Sequence, residues 1–412
     1  VKILKFLVVG AGGQGAPCAS ILSKDQEVSE IVLADINLEL AEKAAKKIGS
    51  NKITTMRVDA GNLKDLLKAA KGVDAIINLT LPQFNLNVME AALKSGAHYV
   101  DTATDLTTWG QLIEKKPLEF DEEFQKAGLT AVIGCGGTPG ITNVLIRYAC
   151  DKLDSVDKIR CMLGHKPLKE SKEVAKAWDP GWCPDVALDD YAAEPVVFED
   201  GEYKLYPPFS GVEEYQFPDP VGSQLIAKHV HEEAVTLPRF IKKGIKYADF
   251  MYPVDVVAGA LVKLGFPSYD PITVKGVKIA PRDVLLSLVR RPVNNFFTEN
   301  EKTVVAPPEF AWFMVMEIEG KKAGDKVKIK LARGGTEESA DEKLKMFRRL
   351  GTTQIFVAAP AIVGAKMCIK GDAEKGVIAA ECFDPIRFLK MMADIGVPVK
   401  FQESVTRSVT IA

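Results

Sequence analysis

The chain has 412 residues, 47% of them apolar and 26% charged, which is the composition of a folded protein rather than a disordered one. At roughly 150 residues per domain, the length points to about two or three domains. With 53 Lys and Arg against 55 Asp and Glu the net charge is -2, so no electrostatic feature points to a nucleic acid or an anionic membrane as partner.

The first 135 residues alternate short apolar runs (4–9, 30–34, 53–58, 75–79, 98–100, 130–133) with stretches of helical period (14–24, 38–48, 63–70, 86–94, 119–126). Continuous apolar strands separated by helices imply a parallel sheet covered on both faces. With right-handed crossovers this is a Rossmann-type, doubly wound α/β domain. After Gly140 hairpin signals take over. Asp200-Gly201 separates 195–198 from 203–206, Lys275-Gly276 separates 272–274 from 277–279, and 312–319 faces 327–332. Helical stretches at 254–264 and 283–290 complete an inserted α+β domain on a mixed or antiparallel sheet. The prolines of 167–220 suggest long loops. From Gly351 helical periodicity returns at 352–369 and 385–396, and these helices are expected to pack back on the first domain. The division expected is 1–140 plus 351–412 for the dinucleotide-binding domain and 141–350 for the substrate-binding domain.

The longest apolar run, 355–365, contains a proline and falls well short of the ~20 residues needed to span a bilayer. Residues 1–9 are too short and strand-like for a signal peptide. Seven scattered cysteines without a CxxC pair suggest neither a disulfide framework nor a zinc ribbon, so a cytoplasmic location is expected.

Gly10-Ala11-Gly12-Gly13-Gln14-Gly15 follows the first strand and opens a helix. The first glycine allows the tight turn, the second lets the backbone approach a pyrophosphate, and the third lets helix press on strand. The N–H groups of the helix start hold the anion. Asp35, twenty residues later, can accept hydrogen bonds from both hydroxyls of an adenosine ribose and repels a 2′-phosphate. No arginine follows it, which favours NAD over NADP. Asp59-Ala60, Thr80-Leu81-Pro82 and Thr102 follow later strands. They are cofactor-contact candidates, although any loop there contains such residues.

Asp101 and Asp105 follow the fifth strand, where the nicotinamide and substrate should meet. Gly136-Gly137-Thr138-Pro139-Gly140 follows the sixth and suits either close approach to a ligand or the crossover between domains. His98, His165, His229 and His231 show no metal-ligand spacing, and Cys135 lacks a His-Asn context, so no metal and no thiol nucleophile are expected. P-loop, GxSxG and HExxH motifs are absent.

The opening Val8–Gly15 segment, Val58-Asp59-Ala60, Tyr99-Val100-Asp101, Thr138-Pro139-Gly140-Ile141-Thr142-Asn143, Trp178-Asp179-Pro180 and Gly376-Val377-Ile378 together resemble the saccharopine dehydrogenase-like family, its lysine 6-dehydrogenase branch in particular. The resemblance implies a Rossmann domain completed by C-terminal helices, and an insert that holds substrate and forms a homodimer. It implies oxidation of amines, or reduction of imines, with a nicotinamide cofactor. The expected reaction is oxidative deamination at the ε-carbon of lysine. A saccharopine-type reaction on a secondary amine is the alternative, and a non-catalytic dinucleotide sensor is the alternative of another class. In that chemistry a carboxylate takes the ammonium proton before hydride leaves, the role given to Asp101 or Asp105. The substrate carboxylate would be held by Arg239, Arg282 or Arg290. One stretch departs from the lysine branch: where that branch has Arg-x-Pro-Gly-His, this chain reads Asp249-Phe250-Met251-Tyr252-Pro253-Val254-Asp255. Another amino acid, a diamine or a secondary amine remains open as substrate.

Overall fold

Leu4–Val9 is buried at every position except Lys5, a pattern that suits a strand in the middle of a sheet covered on both faces. In the computed structural model, which describes residues 3–168, 178–289, 294–308, 310–334 and 339–408, it occupies that place. It runs parallel to Val28–Asp35 on one side and Ala75–Asn78 on the other, with Val8 opposite both Leu33 and Ile77. Ile53–Arg57 extends the first side; His98–Asp101 and Thr130–Ile133 extend the second. The chain thus reverses direction of growth beside Leu4–Val9, where open α/β sheets bind ligands at the carboxyl ends of the strands.

A seventh parallel strand, Gly376–Ala379, pairs with Thr130–Ile133. Its four residues are too few to carry a period that would mark a strand. Just before it, helix Ala358–Lys370 is buried from Ala358 through Cys368. It packs on Gly15–Lys24, Pro385–Asp394 and the central strands, which explains how so apolar a helix is covered. Its one buried charge, Lys366, is paired with Asp25 at 2.5 Å and Glu27 at 2.7 Å. Against the predicted 352–369, this helix starts six residues later and ends one residue beyond; Pro385–Asp394 lies inside the predicted 385–396.

The second sheet has nine strands and is mixed. Its spine runs Glu213–Gln216, Ser223–Lys228, Tyr247–Pro253, Ser155–Pro167, Phe310–Lys322, Asp325–Gly334 and Gln402–Ser408. Tyr247–Pro253 is parallel to Ser155–Pro167, and the other pairings are antiparallel. All three expected hairpins are present, with Phe198 opposite Tyr203, Val274 opposite Val277 and Ile318 opposite Ile329.

Two expectations need correction. The tail 351–412 does not stay together: Gln402–Ser408 leaves the returning helices and pairs with the open edge of Asp325–Gly334, Val405 facing Ile329. An edge strand offers unpaired N–H and C=O groups to any extended segment within reach. The proline-rich 167–220 stretch is not simply loop. Pro184 opens helix Pro184–Ala192 at a position where its missing N–H costs nothing, and short strands follow. Helix Leu106–Ile113 was also unforeseen. Arg290, at the end of the predicted 283–290 helix, lies outside the described residues; the helix itself runs Pro281–Leu288. Among the described residues no helix is long and apolar enough to cross a membrane.

Candidate active site

The glycine turn is built as its spacing requires. Gly10 has φ +96°, and a Cβ there would meet the Leu79 carbonyl oxygen at 2.8 Å. A Cβ on Gly15 would lie 1.6 Å from the Gly10 oxygen, so the helix can approach the strand only without one. Gly12 and Gly13 differ: a Cβ on either would meet nothing within 4 Å. Beside them Gln14 carries a buried Oε1 with no partner. Asp35 ends its strand and turns back on the turn, its Oδ2 accepting from the Ala11 N–H at 2.7 Å and its Oδ1 from the Asn37 N–H at 2.8 Å. Each oxygen keeps acceptor capacity. Open space over the glycines, an unsatisfied amide oxygen and a fixed carboxylate together fit a dinucleotide.

The remaining cofactor candidates stand around the same strand ends. Asp59 caps its own turn by accepting from the Gly61 N–H, and Ala60 beside it is buried. Thr80 donates to Asn78 Oδ1 at 2.7 Å, and Pro82 opens the single turn Pro82–Phe84. Thr102 borders Gly136, where an added Cβ would lie 3.2 Å from the threonine Cβ.

Asp101 and Asp105 are engaged elsewhere. Asp101 Oδ1 accepts from the Gly134 N–H at 2.7 Å, and Oδ2 from Tyr99 at 2.9 Å and Asn85 at 3.2 Å. Burial raises its pKa well above the usual carboxylate range, and the carboxyl is sealed between strands. Asp105 is the N-cap of Leu106–Ile113, accepting from the Thr107 and Thr108 N–H groups and from the Thr108 hydroxyl at 2.6 Å. Neither lines the large cavity described next. Cys135 is buried, and burial pushes its thiol far above the usual range, as expected of an inert cysteine.

That cavity, about 320 Å³, lies where the Gly136–Gly140 crossover meets the inner face of the second sheet. Thr138 and Thr142 bound it on one side, Leu163, Phe250 and Met314 on another, and Phe356 and Val357 close it from just before the buried C-terminal helix. Its polar groups are Asp190, His229, His231 and Arg333. His229 and His231 follow strand Ser223–Lys228 and stack on alternate residues of the neighbouring strand: His231 on Phe250 at 4.0 Å and His229 on Tyr252 at 4.8 Å.

The two imidazoles differ sharply. Burial, seconded by the charge of His231, lowers His229 to about 3, so it is neutral. Burial opposes charge on His231 too, but Glu233, Glu232 and Asp190 outweigh it and push it up to about 9. His231 Nδ1 is hydrogen-bonded to Glu233 Oε2, and Glu232 lies 3.5 Å away. Glu233 Oε1 accepts from Thr138 at 2.7 Å, and Thr138 accepts from Thr142 at 2.8 Å. Glu232 accepts from the Thr104 N–H at 2.9 Å, and burial raises its pKa. Asp190, on helix Pro184–Ala192, is raised to about 8 by burial first and the Glu232 charge second. One nitrogen and two carboxylates of His231, Glu232 and Glu233 fall within 4.8 Å of one another, a cluster that the histidine spacing did not disclose. Within it His231, the Thr104 N–H and the Thr138 hydroxyl already occupy oxygens of the two carboxylates.

The arginine at the cavity is Arg333, buried at the end of Asp325–Gly334, its guanidinium 4.7 Å from the Phe356 ring centre and 5.3 Å from that of Trp312. Arg239 instead donates to the Lys116 carbonyl, and Arg282 is bound to Asp189. The signal for Arg333 was faint: an arginine before Gly334, whose φ of +131° and closeness to the Trp312 carbonyl admit no side chain.

Comparison with known proteins accounts for both halves. Residues 6–132 match the saccharopine dehydrogenase NADP binding domain, and residues 136–397 the saccharopine dehydrogenase C-terminal domain. The carboxynorspermidine synthase of Vibrio alginolyticus is 26% identical over 97% of each chain. The carboxyaminopropylagmatine dehydrogenase of a Synechocystis species is 25% identical over 96% of each. Among solved structures, saccharopine dehydrogenase (L-Glu forming) from Saccharomyces cerevisiae superimposes with a TM-score of 0.65 at 15% identity, covering 97% of this chain and 100% of that one. Homospermidine synthase from Legionella pneumophila, solved with NAD, does so with the same TM-score at 14% identity, covering 98% and 91%. The non-catalytic alternative falls away, because the chain belongs to the saccharopine dehydrogenase family and is an NAD(P)-dependent dehydrogenase acting on the carbon–nitrogen bond of an amine.

Proposed function

We propose that this enzyme uses NAD to interconvert an imine and a secondary amine, the amine joining an amino-acid carbon skeleton to a second, cationic amine. The observation that carries this reading is the charge layout of one cavity: Arg333, Asp190 and His231 line it, and Glu232 and Glu233 stand behind His231. A substrate with one carboxylate and at least one cationic nitrogen is complementary to this layout. Free lysine also has these charges. The joined amine is favoured because the full-length relatives are named for carboxylated polyamines, carboxynorspermidine and carboxyaminopropylagmatine. The segment that departs from the lysine-deaminating pattern supports it too: Phe250 and Tyr252 are the plates on which the two histidines stack.

Bound NAD supplies the site that accepts or returns the hydride. Asp35 would hold its adenosine ribose and disfavour a 2′-phosphate, so NAD is preferred although the family's domain is named for NADP. The backbone N–H groups of the glycine turn and Gln14 would hold the pyrophosphate. Arg333, packed beside the Phe356 and Trp312 rings, would orient the substrate carboxylate. His231 handles the proton. In the reductive direction its imidazolium protonates the imine nitrogen, which makes the carbon electrophilic; one proton and one hydride then turn C=N into CH–NH. In oxidation neutral His231 takes the proton from the ammonium before hydride can leave. Glu233 holds Nδ1 and so fixes the ring, leaving Nε2 for the exchange. Asp190, raised to about 8 by burial, would ionise beside the substrate's remaining positive charge.

The test incubates the enzyme with NADH, an amino-acid semialdehyde and a diamine, and looks for the secondary amine by mass spectrometry. A second reaction supplies lysine and NAD alone. Ammonia and NADH from lysine alone, with no product from the pair, would replace this proposal with the deaminase.

A further inference from the structure

Glu381 is a buried carboxyl that the chemistry above leaves unused. It stands on the single turn Ala380–Cys382, directly after the seventh parallel strand, and is wholly shielded from solvent. Its Oε1 has no partner, so hydrogen bonding offsets the loss of hydration on one side only. Burial first, with the Glu233 charge a lesser cause, pushes its pKa up to about 7.

The other oxygen joins two helices. Oε2 accepts from Asn143 Nδ2 at 3.1 Å, and Thr236 is hydrogen-bonded to the same carboxyl. Asn143 Nδ2 also reaches Thr236 Oγ1 at 3.2 Å, which closes a triangle. At its other end the Asn143 amide accepts from the Gly140 N–H at 2.9 Å, where the crossover enters helix Ile141–Asp151. Thr236 stands one turn beyond Glu233 on helix Glu233–Phe240, and Asn143 follows Thr142, which bonds to Thr138. The triangle therefore ties helix to crossover directly behind the Thr138–Glu233 contact of 2.7 Å.

We propose that Glu381 is a positioning residue for the proton transfer: it locks Asn143 to Thr236, and so holds Thr138 against Glu233 and Glu233 against His231. This rests on the reading of His231 as the proton-transfer group. Without the carboxyl, the Asn143 amide and the Thr236 hydroxyl are left buried with an unmet hydrogen bond and turn elsewhere, which frees both ends of the Thr138–Glu233 contact. Glu233 is the largest influence raising His231, so a loosened Glu233 lets the histidine pKa fall. The ionisable groups facing Glu381 are Glu233, Tyr203, Cys135 and Cys382, with Arg147 donating to its backbone carbonyl at 3.1 Å. Those facing His231 are Glu232, Glu233, Asp190 and His229. Glu233 alone belongs to both sets, so a change at Glu381 reaches the histidine through it.

Glu381→Met keeps the length of the side chain and removes the acceptor. NMR titration of the full chain should show the His231 midpoint lowered by about half to one pH unit, with the rise of kcat for oxidation moved by the same interval. The variant's kcat should fall about tenfold, while KM for NAD and for the carboxylate substrate stays within about twofold. Glu381→Gln retains an oxygen for Asn143 and Thr236 and should return the midpoint close to that of the wild type. Thr236→Val removes the third corner at constant size and should shift the midpoint in the same direction as Glu381→Met; it carries the test should that variant fail to fold. A midpoint that stays near 9, with only the melting temperature lowered, overturns the proposal and leaves the role of His231 intact. So does a Glu381→Gln shift as large as that of Glu381→Met, since charge rather than placement would then be acting. A midpoint that falls while the kcat rise stays in place refutes His231 as the proton carrier, and the proposal with it.

Discussion

Replacing Glu233 by Gln isolates the proton-handling step. In the native site burial works against a charged His231, and the Glu233 carboxylate is the largest influence raising it, ahead of Glu232 and Asp190; the balance is about 9. Glutamine keeps the size of the side chain and its contact with Thr138, but removes the charge. A hydrogen bond to a charged group contributes about 1.5–3 kcal/mol, and 1.36 kcal/mol is one pKa unit, so His231 should fall by about 1–2 units, to about 7–8. The sign follows from the charge state each direction needs. Oxidation requires neutral His231, so its rate rises as pH passes the histidine pKa, and that rise should move from about 9 to about 7–8 in the variant. Reduction requires the imidazolium, so its loss at high pH should begin earlier by the same interval. The assay is kcat against pH in both directions, with an NMR titration of the histidines as a direct check. A rise that stays near pH 9 in Glu233→Gln, while the NMR shows His231 shifted, would refute the assignment of His231 as the proton-transfer group. Glu233 acts through His231 and is a positioning residue; His231→Gln itself should lower kcat about 10²–10⁴-fold.

Arg333→Gln should raise KM for the carboxylate-bearing substrate about 10- to 150-fold, from about 1.5–3 kcal/mol of lost charge-assisted bonding, and leave the KM for NAD unchanged. Asp35→Ala should weaken NAD about tenfold or more but not NADP; equal loss for both in fluorescence titrations would contradict the ribose assignment. Gly12→Ala and Gly15→Ala should separate by readout. The first meets open space and keeps the melting temperature while losing NAD affinity; the second meets the Gly10 carbonyl and lowers the melting temperature. Asp101→Asn should cost about 1–3 kcal/mol in urea unfolding through the Gly134, Tyr99 and Asn85 bonds, and leave the pH profile of kcat in place.

The parallel sheet, the glycine turn, Asp35 and the three hairpins are legible along the chain. Each is a local matter. A buried strand needs an unbroken apolar run, a pyrophosphate turn needs glycines at set spacings, and a tight hairpin needs residues such as Asp200-Gly201 that accept positive φ. The proton-transfer group proposed above is not a local feature. Asp101 and Asp105 stand at the right place in the chain, yet their oxygens turn to the neighbouring backbone and to Tyr99, Asn85 and Thr108, which no spacing reveals. The groups that do meet in the cavity come from residues 138, 190, 231 and 333, joined only when the second sheet closes over the crossover. His231 has no distinctive neighbours in sequence beyond two glutamates, and its raised pKa exists only because burial brings Asp190 and those glutamates round one ring. Tertiary structure decided that chemistry, because electrostatics in a buried site depends on distance through space and on the exclusion of water, not on position along the chain.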